Sequence, residues 1–306
     1  MALKHTPIDS EAFLTYLRSQ VKGQDPILKD LATSLQALES AQRPGRPMAS
    51  FLFVGPHGVG KSELAKAVAE YLFEDKVFSF HCVELSGPSL KVLLVGAPIG
   101  YIGSERGGML TRPVLENPRR LFCVDEIQCA DPVVLDLFAQ LMAEGQLIER
   151  GSDKIADFSQ CILIFTSSSN ADELKRIQQE LTDYDQIVKA VEKQSAQSEF
   201  FRPLFEGGID RVFPFRELDA KALAEIALLK FSKMAEKDFG ITVEFISQQS
   251  ILDLLVSNYQ VTTLSVYGFE KFFYDLFADD LITAKENGAR GVKLRVGTDG
   301  ELSVLG

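Results

Sequence analysis

Gly55-Pro56-His57-Gly58-Val59-Gly60-Lys61-Ser62 decides how this chain is read. It follows the apolar, β-rich run Phe51-Leu52-Phe53-Val54 and opens an amphipathic run, Glu63 to Phe73, with Leu64, Val68 and Leu72 on one face. Strand, glycine loop and helix are the context in which G-x-x-x-x-G-K-[ST] cradles phosphate rather than merely turning the chain. The glycines let backbone N–H groups of the loop turn toward a phosphate chain, and the helix start adds the positive end of its dipole. Lys61 is expected to reach the β- and γ-phosphates and Ser62 to hold Mg2+. The cofactors implied are ATP and Mg2+.

Downstream, the apolar run Arg120 to Val124 ends in Asp125-Glu126. Two acids at a strand end carry no information alone, but after a phosphate loop they have assigned work. Asp125 is expected to bind Mg2+, directly or through water, and Glu126 to polarise the attacking water as general base. The expected catalytic set is Glu126, Asp125 and Lys61, with Ser62 and Asp125 on the metal.

Around these motifs, strand-like and helix-like runs alternate. Val77 to Leu85, Arg120 to Val124, Cys161 to Phe165 and Val212 to Phe215 read as further strands. Ser10 is expected to cap a first helix and Asp25, before Pro26, a second. Asp131-Pro132 begins another helix, which Gly145 ends. Gln146 to Phe158 reads as a hairpin with Arg150-Gly151-Ser152-Asp153 at its tip, and Ala171 to Gln197 as one long helical stretch. Such alternation implies an α/β, doubly wound parallel sheet. From Glu217 the pattern changes to helices near 220–238, 247–258 and 268–287, with short strands near 241–245, 292–296 and 302–305. The expected domains are therefore 1–216, the nucleotide-binding sheet domain, and 217–306, a smaller and mainly helical one with a small sheet.

The 306 residues are 46% hydrophobic and 25% charged, with a net charge of −11. That acidity argues against nucleic-acid binding, which needs a basic footprint, and against an anionic membrane surface. Cys82, Cys123, Cys129 and Cys161 lack metal-site spacing, and His5, His57 and His81 are scattered. Cys123 and Cys161 lie within apolar strand-like runs, so buried thiols in a reducing compartment are expected. No apolar run reaches the roughly 18 residues of a membrane span, and no charged-then-apolar leader opens the chain, so a cytoplasmic location is expected.

Longer collinear stretches carry a resemblance. Val21-Lys22-Gly23-Gln24-Asp25, Ser50 through Pro56, Gly58 through Lys66, Ala69 through Phe73, Gly96-Ala97-Pro98 through Gly103, Phe201-Arg202-Pro203 and Ile209-Asp210 together resemble the second ATPase ring of the ClpB/ClpA-type AAA+ unfoldases. The resemblance runs from about Val21 to the end. It implies a P-loop AAA+ sheet domain with a helical lid, assembled as a hexameric ring that remodels polypeptide. It also implies that Val21 lines the adenine pocket and that Tyr101, with Ile102 beside it, projects into a central pore. Arg150 to Lys154 would be a second pore loop. An exposed aromatic between glycines can grip a chain without reading its sequence.

The departures matter as much. Ser168 occupies the sensor position that is asparagine in the family, and Asn170 is out of register. Gly208, preceded by Gly207, occupies the slot of the arginine finger. Glu270 stands where the lid arginine would. No Ile-Gly-Phe or Ile-Gly-Leu tripeptide in Ala171–Phe200 supports docking to a peptidase, and no amino-terminal capture domain or coiled-coil insertion is seen. An arginine finger contributes about 10³–10⁵ in rate in related enzymes. Two sources are expected: Arg211 or Arg202, re-aimed by a flexible Gly207-Gly208 pair, or an activating partner protein that inserts an arginine. The main expectation is an ATP-driven polypeptide translocase. The alternative is a slowly hydrolysing regulatory or scaffold subunit completed by that partner.

Overall fold

Ala49–Val54 forms strand β1, and all six of its residues are buried. A strand covered on both faces needs no polar alternation, which is why the run is continuously apolar. The computed structural model describes residues 7–73, 77–81, 90–258, 268–296 and 302–305. Helices α1 (Ser10–Gln20) and α2 (Asp25–Ala41) precede β1. Helix α3 (Lys61–Phe73), β2 (Val77–His81), α4 (Leu90–Val95), α5 (Thr111–Glu116) and β3 (Arg120–Asp125) follow. Next come α6 (Pro132–Glu144), the hairpin β4 (Gln146–Glu149) and β5 (Lys154–Asp157), and β6 (Cys161–Ser167). Helices α7 (Ala171–Glu180), α8 (Tyr184–Gln197) and α9 (Arg202–Gly207) lead to β7 (Arg211–Pro214).

Five strands form one sheet in the order β2-β3-β6-β1-β7, and every neighbouring pair is parallel. The order departs from the sequence order at β1, which lies between β6 and β7. Parallel pairing puts the carboxyl ends of β1, β3 and β6 at one sheet edge, the edge where open α/β sheets hold their ligands. Val54 pairs with Ser167 and Val124 with Phe165, so the glycine loop, Asp125 and the end of β6 meet there. The seven residues of central β6 are all buried. Phe165 on β6 meets Phe138 of α6 edge-on, with ring centroids 5.2 Å apart. At the opposite edge Arg43 donates two hydrogen bonds to Asp210, at 2.5 and 2.9 Å, and Asp210 accepts a third from Ser50 N. That ion pair ties the entries of β1 and β7 together.

The chain divides into two compact units. The first comprises Met1–Ser19 with Gln24–Arg216, the second Gln20–Gly23 with Glu217–Gly306. The second unit contains α10 (Ala220–Met234), a π turn over Ala235–Phe239, β8 (Thr242–Phe245), α11 (Gln248–Asn258), α12 (Gly268–Glu286), β9 (Gly291–Val296) and β10 (Leu302–Leu305). Its three strands are ordered β10-β9-β8. Its core is aromatic: Phe231 stacks on Phe273 with centroids 4.8 Å apart, and Phe277 packs against both.

Several local expectations change. Asp9, not Ser10, caps the first helix, accepting from Glu11 N and Ala12 N. Gln24, not Asp25, stands at the N-cap of α2, leaving Asp25-Pro26 inside its first turn. The stretch Ala171–Gln197 is two helices, because Leu181 is extended and Asp183 caps α8 through Gln186 N. Of the strand expected at Val77–Leu85, Val77–His81 is strand and the remainder lies outside the described residues, as do Cys82 and the side chain of Glu270. Gly207 is not a flexible joint. It is buried at the end of α9, and a Cβ there would lie 2.6 Å from Ala139 Cα and 2.7 Å from Ala139 O of α6. Gly207→Ala is therefore expected to force these helices apart and cost about 1–3 kcal/mol, measured by urea unfolding of the two proteins.

Candidate active site

The loop between β1 and α3 is built on close approach. Gly55 N donates to Ser167 O at 3.1 Å, and a Cβ at Gly55 would lie 2.7 Å from Phe215 Cβ and 2.9 Å from Phe215 O. Only glycine fits between β6 and the end of β7 at that point. Gln24, fully buried, holds the far side of the loop. Its Nε2 donates to Val59 O at 3.4 Å and Arg216 O at 3.0 Å, while its Oε1 accepts from Arg216 N at 3.3 Å. The sequence marks Gln24 only as one residue of a matching stretch; its bracing role needs contacts 192 residues apart in sequence.

Lys61 opens α3 with its ammonium buried, donating to Gly55 O at 2.8 Å and Pro56 O at 2.7 Å. Burial lowers its pKa, and the negative charges of Glu126 and Asp125 oppose that effect. Ser62 Oγ donates to Asp125 Oδ1 at 2.8 Å. These are hard oxygen donors in contact, beside a cation and below an open loop where a Cβ on Gly58 would touch nothing within 4 Å. Such donors suit Mg2+, which keeps most of its shell for water and phosphate oxygens. Among the described residues no cluster of three or more His, Cys, Asp or Glu side chains forms a metal cage. A Mg2+ ion here would rest on Ser62 and Asp125 and draw its other ligands from solvent and nucleotide.

Asp125 and Glu126 are joined by one hydroxyl. Thr166 Oγ1, fully buried, donates to Asp125 Oδ1 at 3.0 Å and accepts from Glu126 N at 3.0 Å. Glu126 takes a left-handed backbone, φ 56° and ψ 52°, a conformation rare for a glutamate and one that persists where surroundings impose it. The twist turns its carboxylate away from β3. Ser168 Oγ donates to Glu126 Oε2 at 2.5 Å, and Gln128 Nε2 donates to the same oxygen. His57 Nδ1 stands 3.6 Å from Glu126 Oε1. Burial favours protonation of Glu126, but Ser168, Gln128, Lys61 and His57 outweigh it and hold the carboxyl below the usual range. The arrangement offers a buried ammonium, a carboxylate–hydroxyl pair for a cation and a restrained, ionised carboxylate. Gln128 is a participant that the sequence gave no cause to single out.

The remaining expected residues lie elsewhere. Val21 belongs to the second unit, where it is buried. Tyr101 and Ile102 are 68% and 104% exposed, and Ile99 beside them 61%. Three large apolar side chains thus project from one loop. The hairpin tip docks against the base of that loop: Arg150 N donates to Val95 O at 2.8 Å, and Gly151 packs on Ser104 O. Arg211 Nε donates to Asp30 Oδ2 at 3.0 Å and its Nη2 lies 3.8 Å from Asp185, with Tyr184 on the same Asp30 oxygen. Arg211 is therefore committed within its own chain. Arg202 is exposed at the start of α9, and no hydrogen bond or ion pair engages its side chain among the described residues. Beside Gly208 lies a guanidinium from elsewhere in the chain: a Cβ at 208 would sit 3.2 Å from Arg46 Nη1. Cys123 and Cys161 are buried thiols outside any disulfide, as expected. No helix among the described residues is long and apolar enough to cross a membrane.

A family model described as AAA domain (Cdc48 subfamily) matches residues 46–212. The chain is similar to Chaperone protein ClpB 2 of Nostoc sp., 35% identical over 221 residues, covering 71% of this chain and 25% of that protein. It is similar to Negative regulator of genetic competence ClpC/MecB of Bacillus subtilis, 34% identical over 231 residues, 72% of this chain and 28% of that protein. Chaperone protein ClpB of Oceanobacillus iheyensis is 28% identical over 312 residues, 94% of this chain and 37% of that protein. The chain thus spans between 25% and 37% of the length of these relatives.

Replacing Thr166 by valine keeps the volume but strands Glu126 N and removes a donor from Asp125. The expected cost is about 1–3 kcal/mol, read from urea unfolding, and a smaller loss than about 0.5 kcal/mol would refute the hydroxyl's role as a joint.

Proposed function

The chain belongs to the AAA domain family, Cdc48 subfamily, a family of ATPases, and from that membership we propose that it binds ATP with Mg2+ and hydrolyses it to remodel polypeptides. The observation that carries this reading is the meeting of Lys61, Ser62, Asp125 and Glu126 at one sheet edge. In this reading Gly55 through Gly60 cradle the phosphates, Lys61 neutralises the β- and γ-phosphates, Ser62 and Asp125 hold Mg2+, and Glu126 takes the proton of the attacking water. Residues 1–216 serve as the nucleotide-binding domain and 217–306 as its lid. Ser168 is the sensor, since it touches the base.

The loop carrying Ile99, Tyr101 and Ile102 is the polypeptide-contacting element of a ring. Exposed aromatic and aliphatic groups hold any unfolded segment by burying its apolar surface, without sequence preference. The hairpin tip braced beneath would act as the second such loop. Buried thiols outside any disulfide fit a reducing, cytoplasmic setting.

A second reading keeps ATP binding but makes hydrolysis depend on an arginine supplied in trans. It is favoured by one observation: Gly208 has no side chain, and Arg211, the nearest arginine in sequence, is paired with Asp30. The candidates are Arg202 or Arg46 of an adjacent subunit, or a guanidinium from a partner protein.

Glu126→Gln is expected to bind ATP like the unaltered protein and lose about 10²–10⁴ in turnover, in a paired fluorescence-binding and phosphate-release measurement. Turnover equal to wild type removes Glu126 from the role of base. Tyr101→Ala is expected to keep its ATPase rate and lose most unfolding of a fluorescent reporter protein. Full unfolding by that variant would eliminate the translocation reading.

A further inference from the structure

Glu126 has two carboxylate oxygens, and the protein treats them differently. Among the described residues no hydrogen bond reaches Oε1, and the exposed His57 lies 3.6 Å from it. Oε2 receives two donors, Ser168 Oγ and Gln128 Nε2. The amide nitrogen of Gln128 lies within hydrogen-bond reach of both Glu126 Oε2 and Ser168 Oγ, the latter at 3.0 Å. The serine hydroxyl accepts from Gln128 and donates its own proton to the same carboxylate oxygen. The three side chains therefore close a triangle on one carboxylate oxygen. The reverse orientation of the amide would set its oxygen against both the carboxylate and the serine oxygen, so the network fixes which end of Gln128 faces Glu126.

Gln128 is placed for this by the backbone of Glu126 itself. The left-handed turn at Glu126 starts the short 3-10 segment Ile127–Cys129, closed by Cys129 N donating to Glu126 O at 2.9 Å. That turn folds the side chain two residues on back against the carboxylate. The placement has a cost: Gln128 Oε1 is buried and has no partner among the described residues. Ile127, between the two, is the residue on this turn that packs into the core.

We propose that Gln128 is a positioning residue for the hydrolytic step, which with Ser168 pins Oε2 of Glu126 so that Oε1 alone faces the attacking water. The inference rests on the ATPase reading above. In the reaction the water oxygen bonds to the γ-phosphorus. The bond from that phosphorus to the β,γ-bridging oxygen breaks, its electron pair staying on ADP, and the proton leaving the water passes to Glu126 Oε1. A carboxylate free to rotate would present either oxygen at varying distance. One pinned through Oε2 keeps Oε1 at one distance and direction, the geometric condition for efficient base catalysis. In this proposal Gln128 acts through Glu126, so its removal is expected to lower turnover and leave binding unchanged.

Gln128→Glu and Gln128→Ala test this. The first keeps the volume and replaces both donors by an acceptor, and the second removes the group. In each, kcat is expected to fall about 10–100-fold while the Kd of a fluorescent ATP analogue stays within about twofold of wild type. Combined with Ser168→Ala, the loss is expected to be smaller than the product of the single losses, because both donors serve one oxygen. A Gln128→Glu protein with wild-type kcat, equal losses in kcat and in binding, or a strictly multiplicative double mutant overturns the proposal. The triangle is also read without turnover. The side-chain amide signal of Gln128, assigned by its loss in Gln128→Ala, is expected to shift in Glu126→Gln and in Ser168→Ala, and a signal unmoved in both overturns it. Wild-type protein that binds ATP and never hydrolyses it would instead sink the ATPase reading, leaving the amide measurement to judge the triangle.

Discussion

The parallel pairing of β1, β3 and β6 is the constraint on which the rest depends. Side-by-side strands running the same way must end at the same edge, and each strand delivers one component there. From β1 comes the glycine loop with Lys61, from β3 the carboxylates Asp125 and Glu126, and from β6 the hydroxyls Thr166 and Ser168. Hydrophobic burial maintains the pairing. Each of these three strands is buried along its whole length, so a slip in register would expose or strand groups in the middle of the sheet. The bond from Gly55 N to Ser167 O extends the ladder into the loop and sets the height of the cradle against β6.

Within that frame the site balances two negative groups against one buried positive one. Lys61 loses solvation on burial and would sooner be neutral, and the carboxylates nearby oppose this. Asp125 is satisfied by Ser62 and Thr166, both hydroxyls that can yield to a harder cation. Glu126 is kept ionised by neutral donors as much as by charge. Neutral donors restrain a carboxylate without forming an ion pair that would have to break before it could take a proton. The left-handed backbone at Glu126 belongs to the same design, because it separates two consecutive acids whose tasks differ: one faces Ser62, the other Ser168 and Gln128.

Two regions far from this edge show how glycine is used for opposite ends. Gly207 lacks a side chain because α6 passes against it, which makes the end of α9 rigid. Gly96, Gly100 and Gly103 take positive φ around Tyr101 and let the loop turn outward with its apolar residues exposed. Composition treats these alike, and so the Gly207-Gly208 pair reads from sequence as a flexible joint.

Much was legible from sequence for physical reasons. A glycine loop closed by a lysine at fixed spacing is a local pattern, so the turn from β1 into α3 over Gly55 through Ser62 was plain. Buried parallel strands need unbroken apolar runs, so β1, β3 and β6 were plain, as was the acid pair at the end of β3. Helix punctuation by Asp131-Pro132 and Gly145 was equally local. What tertiary structure alone decided involves residues remote in sequence whose meaning lies in distance. Arg211 looks like a spare cation until Asp30 and Tyr184, brought from α2 and α8, engage it. Gln24 braces the loop through Arg216, and Arg46 lies across Gly208 from a different part of the chain. Ser168 and Gln128 converge on one oxygen of Glu126 only because β6 pairs with β3 and the backbone turns left-handed at that glutamate. Local spacing fixes the backbone conformations and residue chemistry that a motif requires. Which donor meets which acceptor across 40 residues or more is set by strand register and packing, and no local pattern encodes it.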